Sequence, residues 1–123
     1  MTAENVELAR RGFEAVERDE LESLRELLDP DVQWHGGDPS ADGACHTSDE
    51  VIEFIRQARV RGAIGRLVDV IDCGERVVVI LQPPAPAGAH VPRRANLTTF
   101  RDGKVVEMVA FESPEAALEA AGA

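Results

Sequence analysis

The sequence predicts a single α+β domain in which helices come first and a mostly antiparallel sheet follows. Hydrophobic spacing supports this, because it changes from a helical period of about 3.6 to a strand period of about 2 near residue 62. The chain has 123 residues, which fits one domain spanning 1–123. The predicted order is α-α-β-α-β-β-β-β-α. Because the helices have too few apolar positions to bury one another, we expect them to cover one face of the sheet.

Three helices are predicted in the first half. Apolar residues at helical spacing mark the first over 3–19. The second is short, runs over 21–28 and ends before Pro30, since the residue preceding proline is disfavoured in the α region. The third begins at Thr47, whose spacing to a glutamate three positions later is typical of a capping box, and fades near residue 61.

Five strands and two tight turns account for most of the rest. The turn residues are Gly74-Glu75 and Asp102-Gly103, and Asp-Gly supplies the positive φ that a hairpin needs. A final short helix starts at Ser113-Pro114, with serine as N-cap. Gly-, Asp- and Pro-rich loops are expected at 36–44 and 83–88. The predicted strands are 31–35, 66–73, 76–82, 91–100 and 104–112.

Charge and composition argue against several functions. The net charge is −10, which disfavours nucleic acid and anionic membrane surfaces as partners. No apolar run approaches the ~20 residues of a membrane span. Two cysteines make no disulfide framework, and no signal-peptide pattern is present, so we expect a cytoplasmic protein with reduced thiols.

No cofactor and no metal are expected. His35, Asp38, Cys45 and His46 cluster in sequence, but their spacing matches no zinc pattern. The chain also lacks a phosphate-binding glycine loop, a dinucleotide fingerprint and a nucleophile elbow.

Three strings carry a family resemblance. They are GFEAVERDELESLRELLDPDVQW (12–34), TFRDGKVVE (99–107) and FESPEAALEAAG (111–122). In this order they resemble the SnoaL-like family of the nuclear transport factor 2-like (ketosteroid isomerase-like) superfamily. The resemblance implies a cone-shaped curved sheet, also described as cystatin-like, with the N-terminal helices covering its concave face. It further implies a mostly apolar pocket for a hydrophobic small molecule and a homodimer through the outer sheet face.

The chain departs from the ketosteroid isomerases of that superfamily. Their pattern is a tyrosine, a base aspartate and a second oxyanion donor. This sequence has no tyrosine, and Gly12 or Phe13 falls at that position. Gly36 falls where the base is expected, and Asn96 stands four residues before Phe100, at the second donor. Isomerisation of the ketosteroid type is therefore not expected.

Polyketide cyclases of the SnoaL type are a closer resemblance, and they use a pocket carboxylate as acid and base. The carboxylates that could serve here are Asp38, Asp69, Glu107 and Glu112. His35 is a second kind of candidate, because an imidazole titrates near neutral pH. Each could instead be a surface or structural residue. Strand alternation places Trp34 and His35 on opposite faces.

The candidate site therefore joins polar groups to apolar walls. Catalytic candidates are His35, Asp38 and Asn96. Substrate-binding candidates are Trp34, Arg94, Phe13, Phe54, Met108 and Glu112. These residues would suit cofactor-free acid-base chemistry on a hydrophobic carbonyl compound, such as isomerisation, cyclisation, hydration or hydrolysis. The alternative is a ligand-binding or dimeric accessory domain without catalysis, and the sequence does not decide between them.

Overall fold

The computed structural model describes residues 2–36, 45–62, 64–85 and 87–122. The described helices are α1 (Thr2–Glu17), α2 (Leu21–Leu27), α3 (Ser48–Val60) and α4 (Pro114–Ala120). The described strands are β1 (Leu28–Gly36), β2 (Arg66–Cys73), β3 (Arg76–Gln82), β4 (Arg94–Arg101) and β5 (Lys104–Phe111). Within these ranges no helix is both long enough and apolar enough to cross a membrane.

The five strands form one sheet in the order β1-β5-β4-β3-β2. Neighbouring strands are antiparallel except β1 and β5, which run parallel. The interior position predicted for β3 is confirmed, since it pairs with β2 on one side and β4 on the other. The predicted α+β fold with a mostly antiparallel sheet is thereby confirmed.

The N-terminal helices lie over one face of this sheet. Helix α1 packs on β2 and β3, α2 on β1 and β5, and α3 on β1. Val77 and Val79 point into this helix-covered core, which we call the inner side of the sheet. Val78, between them, points to the opposite, outer face, where Ala117 of α4 covers it. Both faces of the sheet centre are therefore covered by helices.

Local turn chemistry agrees with the sequence. The Thr47 hydroxyl accepts a hydrogen bond from the Glu50 amide at 3.1 Å, and the Ser113 hydroxyl accepts one from the Ala116 amide at 3.2 Å. Asp102 and Gly103 have φ values of 53° and 77°, as a tight hairpin requires. These two caps and this turn fix where α3, α4 and the β4–β5 hairpin begin.

The predicted start of the first strand is wrong. Leu28 was expected to end the second helix, but its backbone is extended (φ −99°, ψ 136°) and it pairs with Val105 in β5. Pro30 is tolerated inside β1 because this is an edge strand. A leucine at this position satisfies the helical period and the strand period equally, so hydrophobic spacing could not place the boundary.

Candidate functional site

A cavity of about 950 Å³ lies between the N-terminal helices and the inner side of the sheet. Most of the side chains around it are aliphatic. Helix α1 contributes Leu8, Ala9, Gly12, Phe13 and Val16. The remaining wall is Leu24, Leu27, Leu28, Trp34, Cys45, Val51, Phe54, Ile55, Ala58, Ile64, Gly65, Val79, Leu81, Pro83, Arg94, Asn96, Thr98, Val105, Met108, Ala110, Phe111, Glu112 and Ala116.

Four of the residues expected to bind substrate form apolar parts of this wall: Phe13, Trp34, Phe54 and Met108. The rings of Trp34 and Phe54 meet edge to face, with centroids 4.9 Å apart and planes at 68°. Phe54 is 45% exposed, so its ring borders both the cavity and solvent. The Trp34 backbone is fixed to Cys45 by a pair of hydrogen bonds of 3.0 and 3.4 Å.

Three polar residues of β4 face the cavity in a row, and we call Arg94, Asn96 and Thr98 the polar row. They alternate with Ala95 and Leu97, which are buried on the outer face. Arg94 is exposed, whereas Asn96 (9% exposed) and Thr98 are buried. Among the described residues, none supplies a hydrogen bond or ion pair to these three side chains. The Asn96 amide is therefore available to a ligand in the cavity.

Glu112 also lines the cavity, beside the exposed end of the polar row. Ala95 pairs with Phe111, so Arg94, which precedes Ala95, and Glu112, which follows Phe111, flank the same rung of the ladder. Both side chains are exposed. The end of the cavity at this rung is consequently charged, while its interior is apolar with two neutral polar groups.

His35 does not line the cavity. Its backbone pairs with Val109, and its side chain lies on the outer face, 6% exposed, with Nε2 at 3.4 Å from Oε2 of Glu107. Its Nδ1 is buried and has no hydrogen-bond partner among the described residues. Strand alternation explains this, since Trp34 takes the inward position. The expectation that His35 moves a proton in the pocket therefore has no support from the geometry.

The other carboxylate candidates are distributed as follows. Asp69 is exposed and pairs with Arg10 at 3.6 Å, away from the cavity. Glu107 faces His35 on the outer side. Asp38 lies outside the described residues. Glu112 is thus the described carboxylate that borders the cavity.

Sequence reasoning did not assign Thr98 and Cys45 to the cavity wall. Thr98 shares the inward face with Arg94 and Asn96, and strand alternation alone could have identified it. Cys45 is buried beside Trp34, and burial, with a smaller contribution from the Glu50 charge, raises the pKa of its thiol above the ordinary 9.0. A neutral thiol behaves as an apolar wall group. No three described His, Cys, Asp or Glu residues are grouped closely enough to hold a metal ion.

Known proteins share the family and the fold of this chain. The model of the SnoaL-like domain family matches residues 9–108. An NTF2-like protein of unknown function from Burkholderia pseudomallei is 26% identical, with a TM-score of 0.69 and 98% of each chain covered. Bal32a, from a soil-derived mobile gene cassette, is 22% identical, with a TM-score of 0.74 and 94% of each chain covered. TerC, co-crystallised with polyporic acid, is 20% identical, with a TM-score of 0.69 over 98% of this chain and 99% of its own. The search of curated proteins finds no match.

Proposed function

Since this chain belongs to the SnoaL-like domain family, we propose that its cavity binds a hydrophobic compound that carries a carbonyl oxygen. The observation that carries the proposal is the Asn96 amide, which lies in the cavity wall without a described protein partner. The cavity reaches the polar atoms of this amide, because Asn96 lines the cavity and its amide is not among the fully buried, unpartnered side-chain atoms of the described residues. The amide can therefore donate a hydrogen bond to a ligand oxygen without rearrangement of the wall.

Size and polarity support a small organic ligand. A cavity of about 950 Å³ lies at the upper end of the range usual for ligand sites, and such sites are mostly apolar with a few placed polar groups. The side-chain amide of asparagine can donate to a ketone or ester oxygen. TerC, which shares the fold, was co-crystallised with polyporic acid, and a small-molecule ligand for the present cavity is consistent with this.

The direct test follows the fluorescence of Trp34, the chain's one tryptophan, during titration with naphthyl ketones. We expect saturable binding and an affinity reduced up to about tenfold in Asn96→Leu, the loss of one neutral hydrogen bond. The matched control is Thr99→Val, which removes a polar group from the same strand but does not line the cavity. Unchanged ketone affinity in Asn96→Leu would contradict the proposal.

Acid-base catalysis is the second candidate, and Glu112 is the observation that favours it. Its carboxylate borders the cavity that also holds Asn96. Glu112 would take a proton from the carbon next to the carbonyl, while Asn96 would stabilise the enolate oxygen. Hydrogen-deuterium exchange at that carbon, followed by NMR with a bound ketone, should then be faster with the wild type than with Glu112→Gln. Equal exchange rates would leave a binding protein without catalysis.

A homodimer through the outer sheet face remains a prediction. Ile71 and Ile80 of β2 and β3 are only half-buried there, beside the region that α4 covers. Sedimentation equilibrium of the wild type against Ile80→Glu tests it. A wild type that sediments as a monomer at all concentrations would contradict it.

A further inference from the structure

The geometry points to a keto acid as the ligand: a hydrophobic compound whose carboxylate binds Arg94 at the mouth of the cavity while its keto oxygen reaches Asn96 inside. The inference rests on the proposed function, because it concerns the same cavity. Beyond the proposed function, the inference specifies the charge of the ligand, its orientation in the cavity and the distance between its two oxygen-bearing groups.

The polar row sets that direction. Arg94 and Asn96 are alternate residues of β4, so their side chains leave the strand on the same face, roughly 6.8 Å apart. Exposure falls along the row, from the exposed Arg94 to the buried Asn96 and Thr98. A ligand lying along β4 would therefore have its most polar end at Arg94 and its apolar body beyond Asn96.

The charge of that end follows from Arg94. No described residue forms an ion pair with it, although six other ion pairs join described residues elsewhere. A guanidinium matches a carboxylate in a two-pronged geometry, which makes this pairing stronger than a neutral hydrogen bond. Because Arg94 is exposed, a carboxylate bound there keeps part of its hydration and avoids the cost of a buried charge.

Two electrostatic effects oppose the binding of an acid. The chain as a whole carries −10, so its overall field does not attract anions. Glu112 flanks the same rung as Arg94 and repels a carboxylate at short range. Affinity for an acid must therefore depend on Arg94 itself, and removing the Glu112 charge should increase it.

The experiment uses three matched probes and the full chain. The probes are ε-oxo-ε-naphthylcaproic acid, its methyl ester, which lacks the charge, and ε-naphthylcaproic acid, which lacks the keto oxygen. Affinities are measured by isothermal titration for the wild type, Arg94→Gln, Glu112→Gln and Asn96→Leu. Arg93→Gln is the matched control, because it removes the same charge one residue away from a side chain that does not line the cavity.

We expect the wild type to bind the keto acid about tenfold or more tightly than the ester, the strength of a charged hydrogen bond. Arg94→Gln should abolish that preference, Arg93→Gln should keep it, and Glu112→Gln should increase it. Asn96→Leu should reduce the affinity for the keto acid but not the affinity for the acid that lacks a keto group. Circular dichroism of each variant verifies that it is folded.

Two results would overturn the inference, and they differ in what they leave standing. If the wild type binds ester and acid equally, or if Arg93→Gln removes the preference as much as Arg94→Gln does, Arg94 does not hold a ligand carboxylate, while the proposed carbonyl ligand survives. If none of the three probes binds, the proposed function fails together with the inference.

Discussion

The Phe54 ring stands edge-on to the Trp34 ring at the border between cavity and solvent, at 68° and 4.9 Å. Phe54 is thus a half-exposed side chain of α3 held against the cavity wall. Because Trp34 is the chain's one tryptophan and there is no tyrosine, its fluorescence reports on this border without a label.

Truncating Phe54 should open the entrance to the cavity at a modest loss of stability. Phe54→Ala loses an aromatic pair worth about 0.5–1.5 kcal/mol and also the contacts of the buried part of the ring, so we expect the free energy of unfolding to fall by at least that amount. We also expect faster dissociation of a bound naphthyl ketone, measured by stopped-flow fluorescence of Trp34. Val60→Ala is the control, since Val60 lies on the same helix, is 80% exposed and does not line the cavity. Equal dissociation rates in both variants would show that Phe54 does not cover the entrance.

Replacing His35 tests the separation of the two sheet faces. In His35→Leu an apolar group takes the place of a buried imidazole whose Nδ1 meets no hydrogen-bond partner in the described part of the chain. Such a replacement is expected to be neutral or stabilising, so urea denaturation should show a loss of no more than about 1 kcal/mol. Ligand affinity should not change, because His35 points away from the cavity. Loss of binding in a stable, folded His35→Leu protein would contradict this placement.

Cys45 should make stability depend on pH in the alkaline range. Burial raises the pKa of its thiol above 9.0, so the folded protein holds this proton more tightly than the unfolded chain does. Its contribution is complete below the ordinary cysteine pKa and is lost as pH rises through the raised value. The free energy of unfolding should therefore fall with rising alkaline pH, and less steeply in Cys45→Ala. Urea denaturation across this range measures the slope, with Cys73→Ala as control; identical slopes in the two variants would argue against it.

Gly12 should tolerate a methyl group. It is a buried residue of α1, and an added Cβ would lie 3.5 Å from a Leu24 methyl, an ordinary contact. Alanine is favoured over glycine inside a helix, so Gly12→Ala should raise the free energy of unfolding by roughly 0.5–1 kcal/mol. Gly65→Ala is the contrasting variant, since its Cβ would approach a Gln82 carbonyl oxygen at 3.4 Å outside any helix. Thermal unfolding that shows a larger gain in stability for Gly65→Ala than for Gly12→Ala would contradict this prediction.

Local signals in the sequence predicted much of this fold, and long-range pairing limited the rest. Thr47, Ser113 and Asp102-Gly103 mark their caps and turn by chemistry that acts over a few residues. The start of β1 at Leu28 depends instead on its pairing with β5, which no local pattern contains.

The candidate site was likewise predicted only in part from the sequence. Alternation along β4 was enough to put Arg94 and Asn96 on one face, and the structure shows that this face lines the cavity. The same alternation predicted that His35 and Trp34 lie on opposite faces of the strand, but it did not predict which of the two side chains points inward. Apart from Phe13, the α1 and α2 residues that close the cavity could not be assigned from sequence, because a helix's apolar stripe does not reveal whether it faces packed core or open space.

The parallel pairing of β1 with β5 has a consequence for how the cavity forms during synthesis. Trp34 lies early in the chain, yet its strand partner Met108 comes late. During synthesis from the N-terminus, β1 therefore has no strand partner until β5 has left the ribosome. Contacts so distant in sequence are slow to form. The binding site is consequently among the last parts of the protein to exist, and a nascent chain halted before β5 would be a target for chaperones rather than a smaller working version of the domain.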